Sequence, residues 1–79
     1  MSDAVTKLDA RGLLCPLPVI RTQNAIRELP QGATLVVTAS DPGTEHDIPA
    51  WCRVHGHAFK YCETSDREWQ FTIVVGDGN

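Results

Sequence analysis

Apolar and polar positions along this chain repeat with two periods. Over residues 69–75 the period is two: Trp69, Phe71, Ile73 and Val75 fall on one side, Gln70 and Thr72 on the other, the strongest strand signal present. Residues 34–39, Thr-Leu-Val-Val-Thr-Ala, are β-branched and almost wholly apolar, which predicts a central strand. Residues 5–9 predict a short first strand, and residues 58–63 another, with Phe59 and Tyr61 on one face and Lys60 on the other. Helical spacing appears from residue 16 to 28 or 29, where Val19, Ile20, Ile26 and Leu29, with Ala25 beside them, form an apolar face interrupted by Thr22 and Gln23. A second helix is predicted over 47–55. Starting it at Thr44 would leave Pro49 inside, without an N–H to donate, whereas Asp47 as N-cap puts Ile48 and Pro49 in the first turn. Residues 43–46 then read as a loose turn.

The punctuation fits this division. Pro30-Gln31-Gly32 ends the first helix, Ser40-Asp41-Pro42-Gly43 is a turn, Gly56 stops the second helix, and residues 64–67 connect a hairpin. The order is βαβαββ. A strand–helix–strand unit favours a right-handed crossover and a parallel pair, and the last two strands are close enough for an antiparallel hairpin. The polar positions of the last strand leave one sheet face partly wet, so both helices are expected on the other. The fold class is α/β in the broad sense: an α+β two-layer sandwich with a four-stranded mixed sheet and two helices on one face. The 79 residues make one domain, expected over 5–75, with 1–4 and 76–79 as flexible ends.

Composition narrows the function. Apolar residues at 42% and charged residues at 22% are ordinary for a globular protein and do not suggest disorder. A net charge of −3 with no basic cluster argues against direct nucleic-acid binding, which needs Lys and Arg gathered on one face. No apolar run approaches the roughly 20 residues of a membrane span, and residues 1–7 show no charged-then-apolar signal pattern. The cytoplasm is the expected compartment. There the three cysteines, an odd number, are expected as thiols.

One stretch carries the candidate chemistry: Gly12-Leu13-Leu14-Cys15-Pro16-Leu17-Pro18. Proline is tolerated in the first helical turn, so Pro16 and Pro18 are read as the first and third helical positions and Cys15 as the N-cap. A sulfur there would take hydrogen bonds from the free amides of Leu17 or Val19 and sit at the positive end of the helix dipole. Both effects favour the nucleophilic thiolate. Gly12 permits a tight approach turn. The alternative is plain packing, the commonest fate of a free cysteine.

Residues 8–18, Leu-Asp-Ala-Arg-Gly-Leu-Leu-Cys-Pro-Leu-Pro, resemble the signature of the TusA/SirA family of small sulfur-carrier proteins: a Leu-Asp pair, a glycine three before the cysteine, then Cys-Pro-x-Pro opening a helix. A second block, residues 41–52, Asp-Pro-Gly-Thr-Glu-His-Asp-Ile-Pro-Ala-Trp-Cys, resembles the family too, and the likeness runs from about residue 8 to 75. The resemblance implies the same fold and a sulfurtransferase role, with Cys15 accepting sulfane sulfur as a persulfide and passing it on. Turnover alone would be weak. It implies a cysteine desulfurase or rhodanese-like donor, and a DsrE-type carrier or a relay for tRNA 2-thiolation as acceptor. Leu17 fills the variable slot, where members devoted to tRNA thiolation often carry glutamate, which tilts the expectation toward general or oxidative sulfur trafficking. Gly12, Pro16 and Pro18 would support the site. Arg11, the nearest cation in sequence, would hold the anion or steer a partner, unless it is a solvated loop arginine. No cofactor and no metal are expected, and the free protein is expected to be a monomer.

Other constellations are weaker. Cys52, His55, His57 and Cys62 are metal-ligand types at a spacing that matches no standard zinc pattern. Cys52 is expected to pack in or near the core, and Cys62 to share the strand face of Ala58 and Lys60. Asp9 and Asp41 read as a strand end and a turn start rather than an acid–base pair. Trp51 and Trp69, without basic neighbours, read as packing residues. No histidine is placed beside Cys15 to act as a base. The competing reading is a non-catalytic protein- or RNA-interaction module, or a regulatory partner, in which Cys15 is only a helix cap. The two-layer fold also resembles the C-terminal domain of translation initiation factor three, and fold alone does not decide function.

Overall fold

The structure, a computed structural model, describes residues 5–76. Its elements follow the order βαβαββ: β1 (Val5–Ala10), α1 (Leu17–Arg27), β2 (Thr34–Ala39), α2 (Thr44–His55), β3 (Ala58–Ser65) and β4 (Glu68–Val74). They form one four-stranded mixed sheet in the order β1-β2-β4-β3. β1 runs parallel to β2, from Val5 opposite Thr34 to Ala10 opposite Ala39, and β4 is antiparallel to both β2 and β3. The apolar run of β2 is central, as its composition requires. Its alternate residues Leu35, Val37 and Ala39 are buried together with Phe71 and Ile73 of β4, Ile26 of α1, and Ile48 and Cys52 of α2. Two helices and one sheet face thus share a single core.

Several details depart from the sequence reading. α2 begins at Thr44, three residues before the expected cap, and Pro49 lies inside it. The proline is accommodated because the helix start is anchored independently. The amides of Thr44, Glu45 and His46 donate to the carbonyls of Asp41, Pro42 and Gly43, and Thr44 Oγ1 adds a bond of 2.6 Å to the Asp41 carbonyl. In α1 the buried line is Pro18, Thr22 and Ile26, four residues apart, while Ile20 is exposed. Thr22 tolerates burial because its hydroxyl donates to the Pro18 carbonyl at 2.8 Å. In β3 a register shift between Phe59 and Tyr61 turns the strand over: Phe59 pairs with Ile73 and Cys62 with Phe71, while Tyr61 pairs with Thr72. Cys62 therefore shares the core side with Phe59, and Tyr61 is exposed, the reverse of the expected faces.

The β3–β4 hairpin closes on Asp66 and Arg67, both at positive φ, so the strands run further than expected and the turn is shorter. Gly76 is not a free end. Its amide donates to His57 Nδ1 at 2.9 Å, and a side chain there would collide with the Gly56 carbonyl. The rest of the expected flexible ends, residues 1–4 and 77–79, lies outside the described residues. Among the described residues no helix is long and apolar enough to cross a membrane.

Candidate functional site

Because β1 and β2 are parallel and in register, both strand-to-helix loops leave the sheet at the same edge. This is the end of a parallel pair where ligands and chemistry usually gather. The first loop carries Cys15, the second Asp41, and α2 follows at once with Asp47. The loops are tied together. The Gly12 amide donates to Ser40 Oγ at 2.8 Å, and the Cys15 amide to Asp41 Oδ2 at 3.3 Å. Gly12 holds φ +80, the left-handed turn its position predicted.

Cys15 is exposed and free, and it is not the helix cap. The N-cap is Pro16, with no side-chain cap bond, and Pro18 is the second helical residue, fully buried. The expected crown of amides on the sulfur is absent because backbone carbonyls take those amides first: Leu17 N–H donates to Leu14, and Val19 and Ile20 N–H to Pro16. The Cys15–Pro16 peptide is cis.

The sulfur instead faces a carboxylate. Cys15 Sγ donates to Asp47 Oδ2 at 2.9 Å. An ionised carboxylate can only accept, so this hydrogen bond requires the proton on sulfur. The thiol is accordingly pushed up from its ordinary value of 9.0, first by the bond to Asp47, then by shielding from water, then by the charges of Asp47 and Asp41. The expectation of a favoured thiolate is overturned in the free protein. The helix end supplies roughly half an elementary charge, and a direct hydrogen bond to a full opposite one outweighs it.

Arg11 does not approach the sulfur as a counter-ion. Its guanidinium binds Asp9 at 2.9 Å and reaches Glu68 at 3.6 Å, and it lines a shallow depression on the helix-free face with Lys7, Thr38 and Gln70. The hydrogen bond from Arg11 holds the Asp9 carboxyl at about 2, well below its usual 3.8. Close to Cys15 in sequence are three exposed apolar side chains, Leu14 before it and Leu17 and Ile20 after it, at 70%, 47% and 43% exposure.

The remaining candidates are structural. Cys52 is fully buried in α2, and burial pushes its thiol up to about 11. Trp51 is half-buried and stacks on His55 and His57 at ring-centre distances of 4.8 and 5.2 Å. Trp69 packs on the core edge. Among the described residues no three His, Cys, Asp or Glu side chains converge as metal ligands. The residue missed by sequence reasoning is Asp47. In the sequence it reads as a helix cap, and only the parallel register of β1 and β2 brings it to a sulfur 32 positions away.

A family model described as sulfurtransferase TusA matches residues 6–75. The chain belongs to that family. Its structure is also similar to the crystal structure of a SirA-like protein from Desulfitobacterium hafniense. The TM-score is 0.79 at 28% identity, covering 94% of this chain and 100% of that one. Membership in the TusA family places the chain among sulfur-carrier and sulfurtransferase proteins, which work with protein partners. The βαβαββ fold expected from the sequence is the fold observed.

Proposed function

We propose that this TusA-family protein accepts sulfane sulfur on Cys15 and delivers it to an acceptor protein. The observation that carries the reading is the exposure of the Cys15 sulfur at the common edge of both strand–helix loops, unburdened by a capping duty. In the transfer, Cys15 Sγ attacks the outer sulfur of a donor persulfide. The donor S–S bond breaks, the donor cysteine leaves as a thiol, and Cys15 keeps the sulfane sulfur. One thiol and one persulfide exchange places, so no oxidant or cofactor is required. Two partners must reach the same atom in turn, and the exposed Leu14, Leu17 and Ile20 offer them an apolar collar. The donor class is a cysteine desulfurase or rhodanese-like protein, and the acceptor a DsrE-type carrier or a tRNA-thiolation relay, in the cytoplasm.

The alternative in which Cys15 is only a helix cap loses its basis, since Cys15 makes no cap bond. An RNA-binding role would sit badly with carboxylates at the site and a net charge of −3. The test is incubation with a cysteine desulfurase and cysteine, followed by intact mass spectrometry. Gain of one sulfur atom, lost on reduction and mapped to Cys15, is expected. Sulfur on Cys62, or none, overturns the proposal.

A further inference from the structure

The hydrogen bond from Cys15 to Asp47 has a direction, and the direction has a consequence for the partner. We propose that Asp47 is the positioning residue that decides when Cys15 reacts: its carboxylate pins the idle sulfur as a thiol aimed at α2, and a partner bearing positive charge frees the sulfur by engaging that carboxylate. This rests on the sulfur-carrier reading for its biological meaning, while the chemistry belongs to the thiol itself.

Three observations carry it. First, Sγ lies 2.9 Å from Asp47 Oδ2, a hydrogen bond to an ionised carboxylate that needs the proton on sulfur. Second, among the described residues the charged groups bearing on the sulfur are Asp47 from α2 and Asp41 from the turn before it, both negative. Asp41 also takes the Cys15 amide, so the two carboxylates hold the residue by backbone and side chain together. Third, the nearest cation on the same loop, Arg11, is committed to Asp9 and Glu68 and supplies no compensation. A thiolate or persulfide anion forming here meets negative charge that no cation among the described residues offsets. The missing cation must come with the partner, as a Lys or Arg next to the partner's own reactive sulfur. The exposed apolar residues Leu14, Leu17 and Ile20 bracket Cys15 in sequence and offer a partner contact area without changing charge.

The transfer balances without another reagent. A persulfide donor, R–S–SH, and Cys15–SH give Cys15–S–SH and R–SH. The bond formed is from Sγ to the sulfane sulfur, the bond broken is the donor S–S bond, and the proton leaving Cys15 ends on the departing donor sulfur.

Two measurements on the folded full chain test the role of Asp47 without any sulfur donor. One is the pH profile of Cys15 alkylation by iodoacetamide, followed on the Cys15 peptide, in wild type, Asp47→Asn and Asp41→Asn. The Asp47→Asn profile is expected to shift to lower pH, and the Asp41→Asn profile to shift less. The other is the rate of thiol–disulfide exchange with cystamine, a dication, against dithiodiglycolate, a dianion, where the small disulfide is the oxidant and leaves as its thiol. In wild type at low salt, the cystamine preference, divided by that of free 2-mercaptoethanol to remove the difference in leaving-group acidity, is expected to be roughly tenfold or more, the ratio shrinking in high salt and in Asp47→Asn. An Asp47→Asn profile superimposable on wild type, or a wild-type ratio near one, overturns the proposal. The wild-type ratio needs no variant, so it decides even if Asp47→Asn fails to fold. If these results hold yet Cys15 never gains sulfane sulfur, the carrier reading falls and the role of Asp47 stands. If Cys15 gains sulfur and the alkylation profile ignores Asp47, the reverse is true.

Discussion

Cys15 and Cys52 are the same side chain in two physical settings. Both thiols are pushed above their ordinary value, and the causes differ. Cys52 is raised to about 11 by burial alone, in a core built from two helices and a sheet. Cys15 is raised first by one hydrogen bond to one carboxylate at an exposed loop. The first cause can be removed only by unfolding. The second can be removed by a partner that engages Asp47. A suppressed thiol at the surface is therefore compatible with chemistry on demand, and a suppressed thiol in the core is not.

The largest effect that separates the two is on sulfur loading. Cys15→Ser is expected to abolish the gain of sulfur seen by intact mass spectrometry, whereas Cys52→Ala keeps it. Loss of loading in a folded Cys52→Ala variant would break the contrast. Stability should separate them in the other direction. Cys52→Ser places a hydroxyl among apolar neighbours and is expected to cost about 1–3 kcal/mol in urea unfolding. Cys15→Ser, at an exposed position, should leave the midpoint where it is. Gly12→Ala forces a side chain to adopt φ +80 with nothing nearby to clash, so its cost is the backbone strain of about 1–2 kcal/mol. Thermal unfolding would show it, and a neutral result would mean that the loop adapts.

The pH dependence gives a smaller but signed effect. Cys52 holds its proton to about pH 11 when folded and to about pH 9 when unfolded. Above pH 9 the unfolded chain binds fewer protons than the folded one, so stability falls as pH rises through this window. It is fully present below pH 9. Urea midpoints measured below and above that value should diverge in wild type and less so in Cys52→Ala. Equal slopes in the two proteins would assign the alkaline loss to other groups.

The sequence was most legible where one face of an element is simply buried. β2 was delimited to the residue, and β4 to within one residue of either end, because alternation and β-branching leave little choice of register. It was less legible where one element overrides another's local preference. Pro49 argued against a helix from Thr44, yet the Asp41-Pro42-Gly43 carbonyls anchor that helix from outside. Tyr61 was misplaced because a bulge has no period. At the site, Cys15 is singled out by the two prolines that follow it and by Gly12 before it, and its exposure follows from the loop they build. Its electrostatic setting was not readable. The expected amide crown depended on Cys15 being the cap, and the structure shifts the helix start by one residue. The carboxylate came from a second loop, and only strand pairing decides that two loops meet.

Arg11 offers the smallest effect and the sharpest control on the comparison. If the sulfur at the rim feels only Asp47 and Asp41, removing the nearest cation on its own loop should leave it untouched. Arg11→Ala is therefore expected to give a Cys15 alkylation profile that overlays wild type. The same substitution should release the Asp9 carboxyl from about 2 toward its usual 3.8, which carboxyl-detected NMR titration would follow. A carboxyl depressed by folding adds stability above its unfolded value and loses it as pH falls through the folded one, here between about 3.8 and 2. Both partners are exposed, so water screens the pair and the thermal midpoint at neutral pH should barely move. An alkylation profile displaced to higher pH in Arg11→Ala would show that this cation does reach the sulfur. Cys15 would then carry its own compensation, and the requirement for a positively charged partner would disappear.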